Sequence, residues 1–433
     1  MSMVQALLDK QDKLAVVGLG YVGMPLALAF SEHMDVIGYD INKKRVQEYI
    51  AHIDGTNEVG SEALRKTTCR FTSEADELAA VKFFIIAVPT PIDKDNLPDL
   101  AALEGASETV GRVLTKGAYV VYESTVYPGV TEDVCIPLLE KYSDLKCPED
   151  FKVGYSPERI NPGDKHNRID SIVKIVSGID DEALEQIGDV YRVIIKAGIY
   201  PAESIKVAEA AKVAENSQRD INIAFMNELA RSFDSMGIDT TSVINAMNTK
   251  WNALNFHPGL VGGHCISVDP YYLIYKSQLM SNRLEFLSIS RRINEEMPDY
   301  IVQKAIRLMI EEEILIKNAN IAVLGITYKE NCPDLRNTKV INIIDQLRSY
   351  GAHVCIYDPV ANPQEVLDEF GIGMEDDYTK LSDMDVIIMA VAHDAFEEMV
   401  SITDKLVNTI VLDVQGKFSD IFVKNKSLRY WRL

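Results

Sequence analysis

The N-terminal part of the chain alternates short apolar runs with longer amphipathic stretches. Residues 14–19 and 36–39 have the composition of buried strands, and residues 21–32 between them have the apolar spacing of a helix packed on a sheet. Apolar runs at residues 83–88 and 118–123 continue the alternation. This order of strands and helices predicts a doubly wound parallel sheet.

A different pattern begins near residue 202. Residues 154–162 are expected to leave the sheet as a loop, and residues 203–234 then run without proline or glycine through strong helix formers. That stretch is much longer than a typical globular helix. Because long helices that join two domains often pair with a second copy of themselves, we expect a homodimer through the central helices.

The third part of the chain repeats the first. Four predicted strands have counterparts in the same order: residues 320–325 match 14–18, residues 353–358 match 36–40, residues 386–391 match 83–88, and residues 409–414 match 118–123. Two similar α/β domains therefore flank a helical centre. The second copy reads Gly325-Ile-Thr-Tyr-Lys329 where the first has three glycines, so it is expected to hold a different ligand.

Length and composition agree with this organisation. A chain of 433 residues exceeds what one hydrophobic core usually serves. Apolar residues make up 47% and charged residues 25%, and no window approaches the twenty apolar residues that a membrane span needs. Residues 1–13 lack the apolar core of a secretory signal, so a cytoplasmic protein without a membrane partner is expected.

Charge and cysteine content exclude further classes of protein. The 44 basic and 65 acidic residues give a net charge of −21, which repels nucleic acid. A phosphate site must then be built locally from backbone N–H groups and a few Lys or Arg residues. The six cysteines are far apart, with no Cys-x-x-Cys pair and no histidine at metal-ligand spacing, so reduced thiols and no metal are expected.

The first predicted strand runs directly into a glycine-rich turn. Gly18 permits the tight turn, Gly20 lets the backbone approach a pyrophosphate, and Gly23 allows close helix–strand packing. Asp40 ends the next strand, where a carboxylate accepts from ribose hydroxyls and repels a 2′-phosphate. The pattern predicts NAD rather than NADP, and the combined context disfavours a turn without a ligand.

A second group of residues surrounds one thiol. Glycines at Gly259, Gly262 and Gly263 precede Cys265, which could form a covalent adduct with an aldehyde, and Asp269 follows four residues later. The local pattern leaves open whether Cys265 is a nucleophile or a buried small apolar residue. Adjacent side chains usually point apart, so for His264 a structural or substrate-contact role is favoured over a Cys–His dyad.

A third group lies on the predicted long helix. Lys212 and Asn216 are four residues apart and share one face, with Arg219 continuing it. An ammonium and an amide side by side suit an oxyanion, but a solvated helix face explains the same spacing. Weaker signals stand at predicted strand ends, where each could equally be a turn or a surface ion pair: Pro89, Thr90, Ser124, Thr125, Glu158, Arg159, Lys329 and Arg336.

In this order, the motifs resemble the family of UDP-glucose and GDP-mannose dehydrogenases over essentially the whole chain. Gly-Gly-His-Cys265 followed by Val-Asp269-Pro-Tyr-Tyr is similar to the branch acting on UDP-N-acetylhexosamines, whereas the UDP-glucose branch typically has Gly-Gly-Ser-Cys and Lys-Asp. The phrase from Ser156 to Asp164 is similar to that of UDP-N-acetylglucosamine and UDP-N-acetylgalactosamine 6-dehydrogenases.

The resemblance implies a fold and a domain order. The fold class is α/β, with two Rossmann-like doubly wound domains joined by a helical central domain with a long connecting helix. Residues 1–200 would bind NAD, residues 201–312 would form the central helical dimerisation domain, and residues 313–433 would bind the UDP-sugar.

The resemblance also implies residue roles. Cys265 matches the nucleophile, Lys212 and Asn216 the oxyanion-stabilising pair, Asp269 the general-base or water-positioning carboxylate, and Thr125 and Glu158 polar groups that assist hydrolysis. The implied cofactor contacts are Gly18, Gly20, Tyr21, Val22, Gly23, Asp40, Arg45, Pro89, Thr90, Ser124 and Thr125. The implied substrate contacts are Glu158, Arg159, Lys212, Asn216, Arg219, His257, Gly259, Gly262, Gly263, Lys329 and Arg336.

The implied reaction is a four-electron, NAD-dependent oxidation of the sugar C6 hydroxymethyl to a carboxylate through a thiohemiacetal and a thioester. The product would be a UDP-N-acetylhexosaminuronate for a surface polysaccharide such as capsule or O-antigen. His264 replaces the serine of the UDP-glucose branch. UDP-glucose 6-dehydrogenase and, more remotely, a two-electron β-hydroxyacid dehydrogenase stay as alternatives, but the latter leaves the third domain without a purpose. A non-catalytic sensor is disfavoured because Cys265, Lys212 and Asn216 are all present.

Overall fold

The computed structural model describes residues 2–55, 59–159, 169–399 and 403–433. The chain forms two compact units. Unit 1 comprises Met1–Glu215 and Tyr271–Arg283, and unit 2 comprises Asn216–Pro270 and Leu284–Leu433.

Unit 1 contains a mixed sheet in which the described residues supply eight strands. Their order is β3-β2-β1-β4-β5-β6-β7-β8, and β1 to β6 are parallel, whereas β7 runs antiparallel to β6. The strands are β1 Lys13–Val17, β2 Val36–Tyr39, β3 Arg70–Thr72, β4 Val81–Ile86, β5 Tyr119–Tyr122, β6 Lys152–Tyr155, β7 Lys174–Gly178 and β8 Ile199–Pro201. The strand order reverses between β1 and β4, which confirms the predicted doubly wound topology.

Most helices of unit 1 connect these strands. They are α1 Met3–Leu8, α2 Gly23–Ser31, α3 Lys43–Ile50, α4 Gly60–Lys66, α5 Ala101–Val113, α6 Ile136–Ser143 and α7 Asp181–Arg192, with a 3-10 turn at Ala75–Leu78 and a π turn at Thr131–Cys135. A buried apolar cluster joins β1 and β4 to α2 and α7 through residues such as Leu14, Phe83, Leu26 and Ile187.

One sequence prediction in this unit is wrong at its start. Residues 154–162 are expected to form a loop, but Gly154 and Tyr155 lie in β6. Residues 156–159 leave the strand without regular structure, as predicted, and residues 160–162 fall outside those described. A Cβ at Gly154 would stand 2.4 Å from both the Ile187 side chain and the Ser177 carbonyl. This glycine therefore serves close packing within the sheet rather than a turn.

The long helix is confirmed as α8, Ile205–Met236, which passes from unit 1 into unit 2 after Glu215. Four helices follow it: α9 Thr240–Met247, α10 Asp269–Leu279, α11 Glu285–Glu295 and α12 Met297–Glu311. This run of helices without strands confirms the helical central segment that the sequence predicts.

Unit 2 carries a second parallel sheet, to which the described residues contribute five strands in the order β10-β9-β11-β12-β13. The elements are β9 Asn320–Leu324, α13 Val340–Ser349, β10 His353–Tyr357, α14 Pro363–Phe370, β11 Val386–Met389, β12 Ile410–Asp413, α15 Ser419–Phe422 and β13 Arg429–Arg432, with 3-10 turns at Tyr378–Asp383 and Asp394–Met399. Val323, Ile388, Ile343 and Met309 belong to its buried core. The repeated strands are confirmed.

Candidate active site

The glycine turn after β1 has the geometry that its sequence predicts. Gly18 has φ +94°, and a Cβ there would stand 2.7 Å from the Ala87 carbonyl. A Cβ on Gly23 would stand 1.8 Å from the Gly18 carbonyl, whereas one on Gly20 would meet no described atom within 4 Å. Gly18 and Gly23 are therefore required by the fold itself. Gly20 faces space that a pyrophosphate could enter, so the turn fits a dinucleotide.

Asp40 is fixed at the carboxyl end of β2. Its Oδ2 accepts from the main-chain N–H of Leu19 at 2.9 Å, and its Oδ1 accepts from that of Asn42 at 2.8 Å. The Arg45 guanidinium lies 3.2 Å from the same carboxylate, which is buried. Since Arg45 is paired with Asp40, the arrangement favours ribose hydroxyls over a 2′-phosphate.

The segments that follow β4 and β5 are tied to each other. Thr90 Oγ1 donates to the Thr125 carbonyl at 2.6 Å, and Ser124 Oγ donates to the Val88 carbonyl at 2.6 Å. These bonds cross-link the strand ends on which Pro89 also lies. The structure thus brings together four residues that the sequence placed at separate strand ends, at the edge where such sheets bind ligands.

Glu158, which follows β6, faces a buried ion pair that sequence reasoning missed. Lys174 Nζ lies 2.6 Å from Glu123 Oε2 and 3.7 Å from Glu158 Oε2, and Tyr191 donates to Glu123. Burial raises the pKa of Glu123 to about 7, although the Lys174 charge pulls it down. Arg159 has an exposed side chain, and its main-chain N–H donates to Glu158 Oε1.

The first half of α8 is anchored by a buried carboxylate. Glu209 accepts from the main-chain N–H groups of Gly129 at 2.5 Å and Thr131 at 2.9 Å. Lys212 follows three residues later and is half-buried, while Arg219 is exposed. Lys212 and Asn216 are three and seven residues after Glu209, so the three side chains share one helix face. The bonds of Glu209 therefore fix the orientation of α8 about its own axis. The sequence offered no signal for this role of Glu209.

Asn216 and Asp269, both buried, are brought together in unit 2. Asn216 Nδ2 donates to Asp269 Oδ2 at 2.5 Å, although 53 residues separate them. Asp269 begins α10, and its main-chain N–H donates to the Cys265 carbonyl at 2.8 Å. Cys265 is partly exposed. An amide, a carboxylate and a thiol that the sequence singled out therefore belong to one local structure.

Gly262 and Gly263 let the loop before Cys265 pack against the segment that follows β9. A Cβ on Gly262 would stand 2.8 Å from the Asn337 carbonyl, and one on Gly263, which has φ +81°, would stand 2.8 Å from the Tyr328 ring. Gly263 N also donates to the Arg336 carbonyl at 3.2 Å. Gly262 and Gly263 are therefore required for close packing of this loop, in addition to leaving the Cys265 thiol accessible.

His264 lies beside an aspartate and a tyrosine of the segment that follows β9. Its Nδ1 lies 3.7 Å from Asp334 Oδ2, and its ring meets that of Tyr328 edge-on. Arg336 Nη2 and Nε both donate to the Asp334 carboxylate, at 2.6 and 3.0 Å. Burial raises the pKa of Asp334, but Arg336 outweighs it and leaves the pKa below its usual value. These contacts fit a structural role for His264, and a substrate-contact role stays a prediction.

Gly259 is held by a side chain of α8. Asn227 Nδ2 donates to the Gly259 carbonyl at 3.0 Å, and Gly259 N donates back to Asn227 Oδ1 at 2.8 Å. Asn294 accepts a further bond from Asn227 at 2.8 Å. Asn227 and Asn294, which the sequence analysis did not single out, therefore fix the position of Gly259, where the loop that leads to Cys265 begins.

A cavity of about 220 Å³ opens in unit 2 at the carboxyl ends of β9 and β11, where the strand order reverses. Ligands of doubly wound sheets bind at such a point. Its described lining residues are Ile223, His257, Pro258, Gly259, Leu260, Thr327, Tyr328, Thr338, Lys339, Val340, Ala390, Val391 and Gln415. Lys339 adds a cation that the sequence analysis missed, and Lys329 lies on the loop that supplies Thr327 and Tyr328.

The aspartate at the end of β10 has the same kind of main-chain partners as Asp40 but a different side-chain partner. Asp358 is buried and accepts from Ile326 N at 2.6 Å, as Asp40 accepts from Leu19 N. His393 Nε2 lies 3.1 Å from Asp358, whereas Arg45 faces Asp40. A Cβ on Gly325 would stand 2.6 Å from the Val391 carbonyl, so this glycine is required by the packing. A different ligand for the second sheet stays a prediction.

Within the described residues, no three or more His, Cys, Asp or Glu side chains are placed to hold a metal ion. All six cysteines are described, and all are free thiols. The search for membrane spans found no described helix with the length and apolar character to cross a bilayer.

Three family profiles match successive parts of the chain. The UDP-glucose/GDP-mannose dehydrogenase family NAD binding domain matches residues 12–195, its central domain residues 206–296, and its UDP binding domain residues 322–420. The chain belongs to this family. It is therefore an NAD-dependent UDP-sugar dehydrogenase, and the predicted family, fold class, enzyme class and cofactor are confirmed.

Relatives cover nearly the whole chain. Protein CapL of Staphylococcus aureus is 51% identical over 422 residues, 97% of this chain and 99% of the relative. UDP-N-acetyl-D-glucosamine 6-dehydrogenase of Pseudomonas aeruginosa is 49% identical over 391 residues, 90% and 92% of the two chains. The structure of UDP-D-ManNAc dehydrogenase from Pyrococcus horikoshii superposes with a TM-score of 0.88 at 30% identity, covering 97% and 98%.

Proposed function

We propose that this member of the family is a UDP-N-acetyl-D-glucosamine 6-dehydrogenase that oxidises the C6 hydroxymethyl group to a carboxylate. The observation that carries the proposal is 49–50% identity over about nine-tenths of the chain to relatives named UDP-N-acetyl-D-glucosamine 6-dehydrogenase. The Gly-Gly-His-Cys265 sequence supports the same sugar class. The product would enter a surface polysaccharide, in keeping with similarity to CapL.

In the first oxidation, Lys212 and Asn216 stabilise the negative charge that develops on the C6 oxygen. The Lys212 ammonium supplies charge, and the Asn216 amide, which Asp269 orients at 2.5 Å, supplies a hydrogen bond. When bound, NAD supplies the acceptor for each hydride that leaves C6, one in each oxidation. The C6 hydroxyl proton of the first oxidation passes to Asp269, the proposed general base. A preorganised helix face suits this task because it need not rearrange as charge develops.

In the second oxidation, Cys265 holds the aldehyde covalently. The Cys265 sulfur attacks C6, the thiol proton passes to the aldehyde oxygen, and a thiohemiacetal forms. The second hydride then leaves C6, Asp269 accepts the proton of the thiohemiacetal hydroxyl, and a thioester remains. Water attacks its carbonyl carbon, the C–S bond breaks, and Cys265 leaves as thiolate. Glu158 is proposed to accept the proton of that water, and Asp269 and Thr125 to position it.

Binding roles follow the three predicted domains, 1–200, 201–312 and 313–433. The Gly18–Gly23 turn and Asp40 hold the cofactor, whereas the cavity beside β9 and β11 holds the uridine diphosphate. Of the basic residues assigned to this ligand, Lys339 lines the cavity and also pairs with Glu295. Lys329 and Arg336 follow β9 and are assigned to the substrate by the resemblance, and Arg336 also pairs with Asp334.

The sugar assignment is tested by comparing substrates under identical conditions. We expect kcat/KM for UDP-N-acetyl-D-glucosamine to exceed that for the galacto and manno epimers and for UDP-glucose by about tenfold or more. The measurement is initial NADH formation with each purified sugar nucleotide. A preference for UDP-glucose would overturn the proposed sugar class, and a preference for another N-acetylated epimer would overturn only the gluco assignment.

We further propose that the chain works in the cytoplasm as a homodimer formed through its central helices. Large apolar side chains are exposed there, including Phe225 on α8 and Phe286 on α11. We expect analytical ultracentrifugation at micromolar concentration to show a dimer and Phe286→Glu to shift it toward monomer. Leu315→Glu, an exposed apolar control outside these helices, should stay dimeric. Wild-type protein that sediments only as monomer would contradict the proposal.

A further inference from the structure

Lys174 is an unusual residue for the start of a buried strand. It begins β7, its side chain is 5% exposed, and its Nζ lies between the carboxylates of Glu123 and Glu158. Glu123 follows β5, and Glu158 follows β6. Three adjacent strands therefore bring one cation and two anions together inside unit 1. A lysine is seldom buried in this way unless its charge is paired.

Tyr191 is a further titratable group that contacts Lys174 and Glu123. Tyr191, on α7, donates to Glu123, and its ring lies 5.3 Å from Lys174 Nζ. Burial holds the pKa of Tyr191 well above its ordinary value, so this phenol stays neutral. Lys174, Glu123 and Tyr191 are thus among the charged and titratable groups that face Glu158. The Arg159 main-chain N–H adds a hydrogen bond to Glu158.

The two carboxylates compete for one ammonium. Glu123 is fully buried, and its pKa rises to about 7 because burial outweighs the attraction of Lys174. The carboxylates in turn raise the pKa of Lys174 above its usual value despite its burial, so it keeps its charge. The one buried ammonium thus serves both carboxylates, at 2.6 Å from Glu123 Oε2 and 3.7 Å from Glu158 Oε2.

We propose that Lys174 is a positioning residue that orients Glu158 for the hydrolysis of the Cys265 thioester. The inference rests on the role proposed above for Glu158. In that step water adds to the thioester carbon, Glu158 accepts the proton of the water, and the C–S bond breaks to release the Cys265 thiolate and the sugar acid. Lys174 does not touch the reacting atoms. Lys174 acts through Glu158, and Glu123 pairs with the same ammonium.

The proposal predicts different effects for two substitutions. Lys174→Met removes the cation that faces Glu158, so hydrolysis of the thioester should slow by about tenfold or more while the rate of the first oxidation changes less than about twofold. Glu123→Gln keeps an oxygen that can accept from Lys174 and Tyr191, so hydrolysis in this variant should stay within about twofold of wild type. KM for NAD and for the UDP-sugar should change less than about twofold in both variants, because neither residue is assigned to binding.

The measurement combines rapid-quench kinetics with mass spectrometry of acid-quenched enzyme. Lys174→Met should accumulate the sugar thioester on Cys265, and Lys174→Arg, which restores the charge, should recover most of the hydrolysis rate. Hydrolysis at the wild-type rate in Lys174→Met, or equal slowing of the first oxidation and of hydrolysis, would overturn the proposal. If Lys174→Met fails to fold, the double variant Lys174→Met/Glu123→Gln is compared with Glu123→Gln, and it must hydrolyse the thioester more slowly.

Glu158→Gln separates this inference from the proposed function. Slow hydrolysis in both Glu158→Gln and Lys174→Met supports both roles. If Glu158→Gln hydrolyses slowly but Lys174→Met hydrolyses at the wild-type rate, the role of Lys174 is wrong and that of Glu158 stands. If Glu158→Gln hydrolyses the thioester at the wild-type rate, both roles are wrong, whereas the dehydrogenase assignment does not depend on them.

Discussion

Replacement of Cys265 by alanine is expected to abolish formation of the sugar acid, with a loss of about 10³-fold or more. Without the thiol, the aldehyde from the first oxidation has no covalent anchor and is free to leave before the second. The expected products are at most traces of aldehyde and one NADH for each sugar that reacts. Product mass spectrometry alongside NADH absorbance measures both quantities.

Cys265→Ser is expected to behave differently, because a hydroxyl is a weaker nucleophile and a poorer leaving group than a thiol. It should stall after the first oxidation or accumulate an adduct on the enzyme. Cys355→Ser is a suitable control, since Cys355 lies within β10 and has no assigned role in the reaction. Full four-electron turnover by Cys265→Ala would remove the thiol from the mechanism.

The second large effect is expected from Lys212→Met. Removal of the ammonium should lower kcat for the first oxidation by about 10²–10³-fold, which corresponds to about 3–4 kcal/mol of lost transition-state stabilisation. KM for the UDP-sugar should change far less, because the charge on the C6 oxygen develops only as hydride and proton depart. Rapid-quench measurement of the first NADH formed isolates this step.

Lys206→Met is the matched control for Lys212. Both lysines lie on α8, but Lys206 is exposed and pairs with Glu132 at 3.3 Å. Its replacement should leave the rate of the first oxidation within about twofold, as for most surface changes. Equal losses in the two variants would show that the effect on Lys212→Met comes from the helix rather than from the oxyanion.

Much of the fold follows from local pattern. Short apolar runs already identify the buried parallel strands. Two pairs of these runs become neighbours in the sheets, where Leu14 lies opposite Val36 and Val386 lies opposite Ile410. The helix Ile205–Met236 follows from residues 203–234, which contain no proline or glycine. The failure at Gly154 has a simple cause, since a glycine in a sheet and a glycine in a turn look alike until the neighbouring strand and helix are known.

The candidate site could be predicted only where function depends on residue type and spacing. Cys265, Asp269, Lys212 and Asn216 stand in recognisable patterns, and the structure joins Asn216 to Asp269. The ion pair between Lys174 and Glu123 could not be predicted this way. It depends on which strands become neighbours, and that information is absent from the local sequence.

The same limit explains Glu209 and Asn227. From the sequence alone, both look like ordinary polar residues of a helix surface. In the structure, Glu209 accepts from the main-chain N–H of Gly129. Asn227 bonds both the carbonyl and the N–H of Gly259. Buried polar side chains are retained because they satisfy partners far away in the chain. Their roles appear only when the tertiary contacts are known.

The central claim, a four-electron oxidation at one thiol, is tested most directly by the number of NADH molecules formed for each UDP-N-acetyl-D-glucosamine consumed. Limiting sugar nucleotide with excess NAD and wild-type enzyme should give two NADH and one equivalent of the uronate, with no free aldehyde. One NADH per sugar, with an aldehyde as the final product, would contradict the account and leave Cys265 without its proposed role.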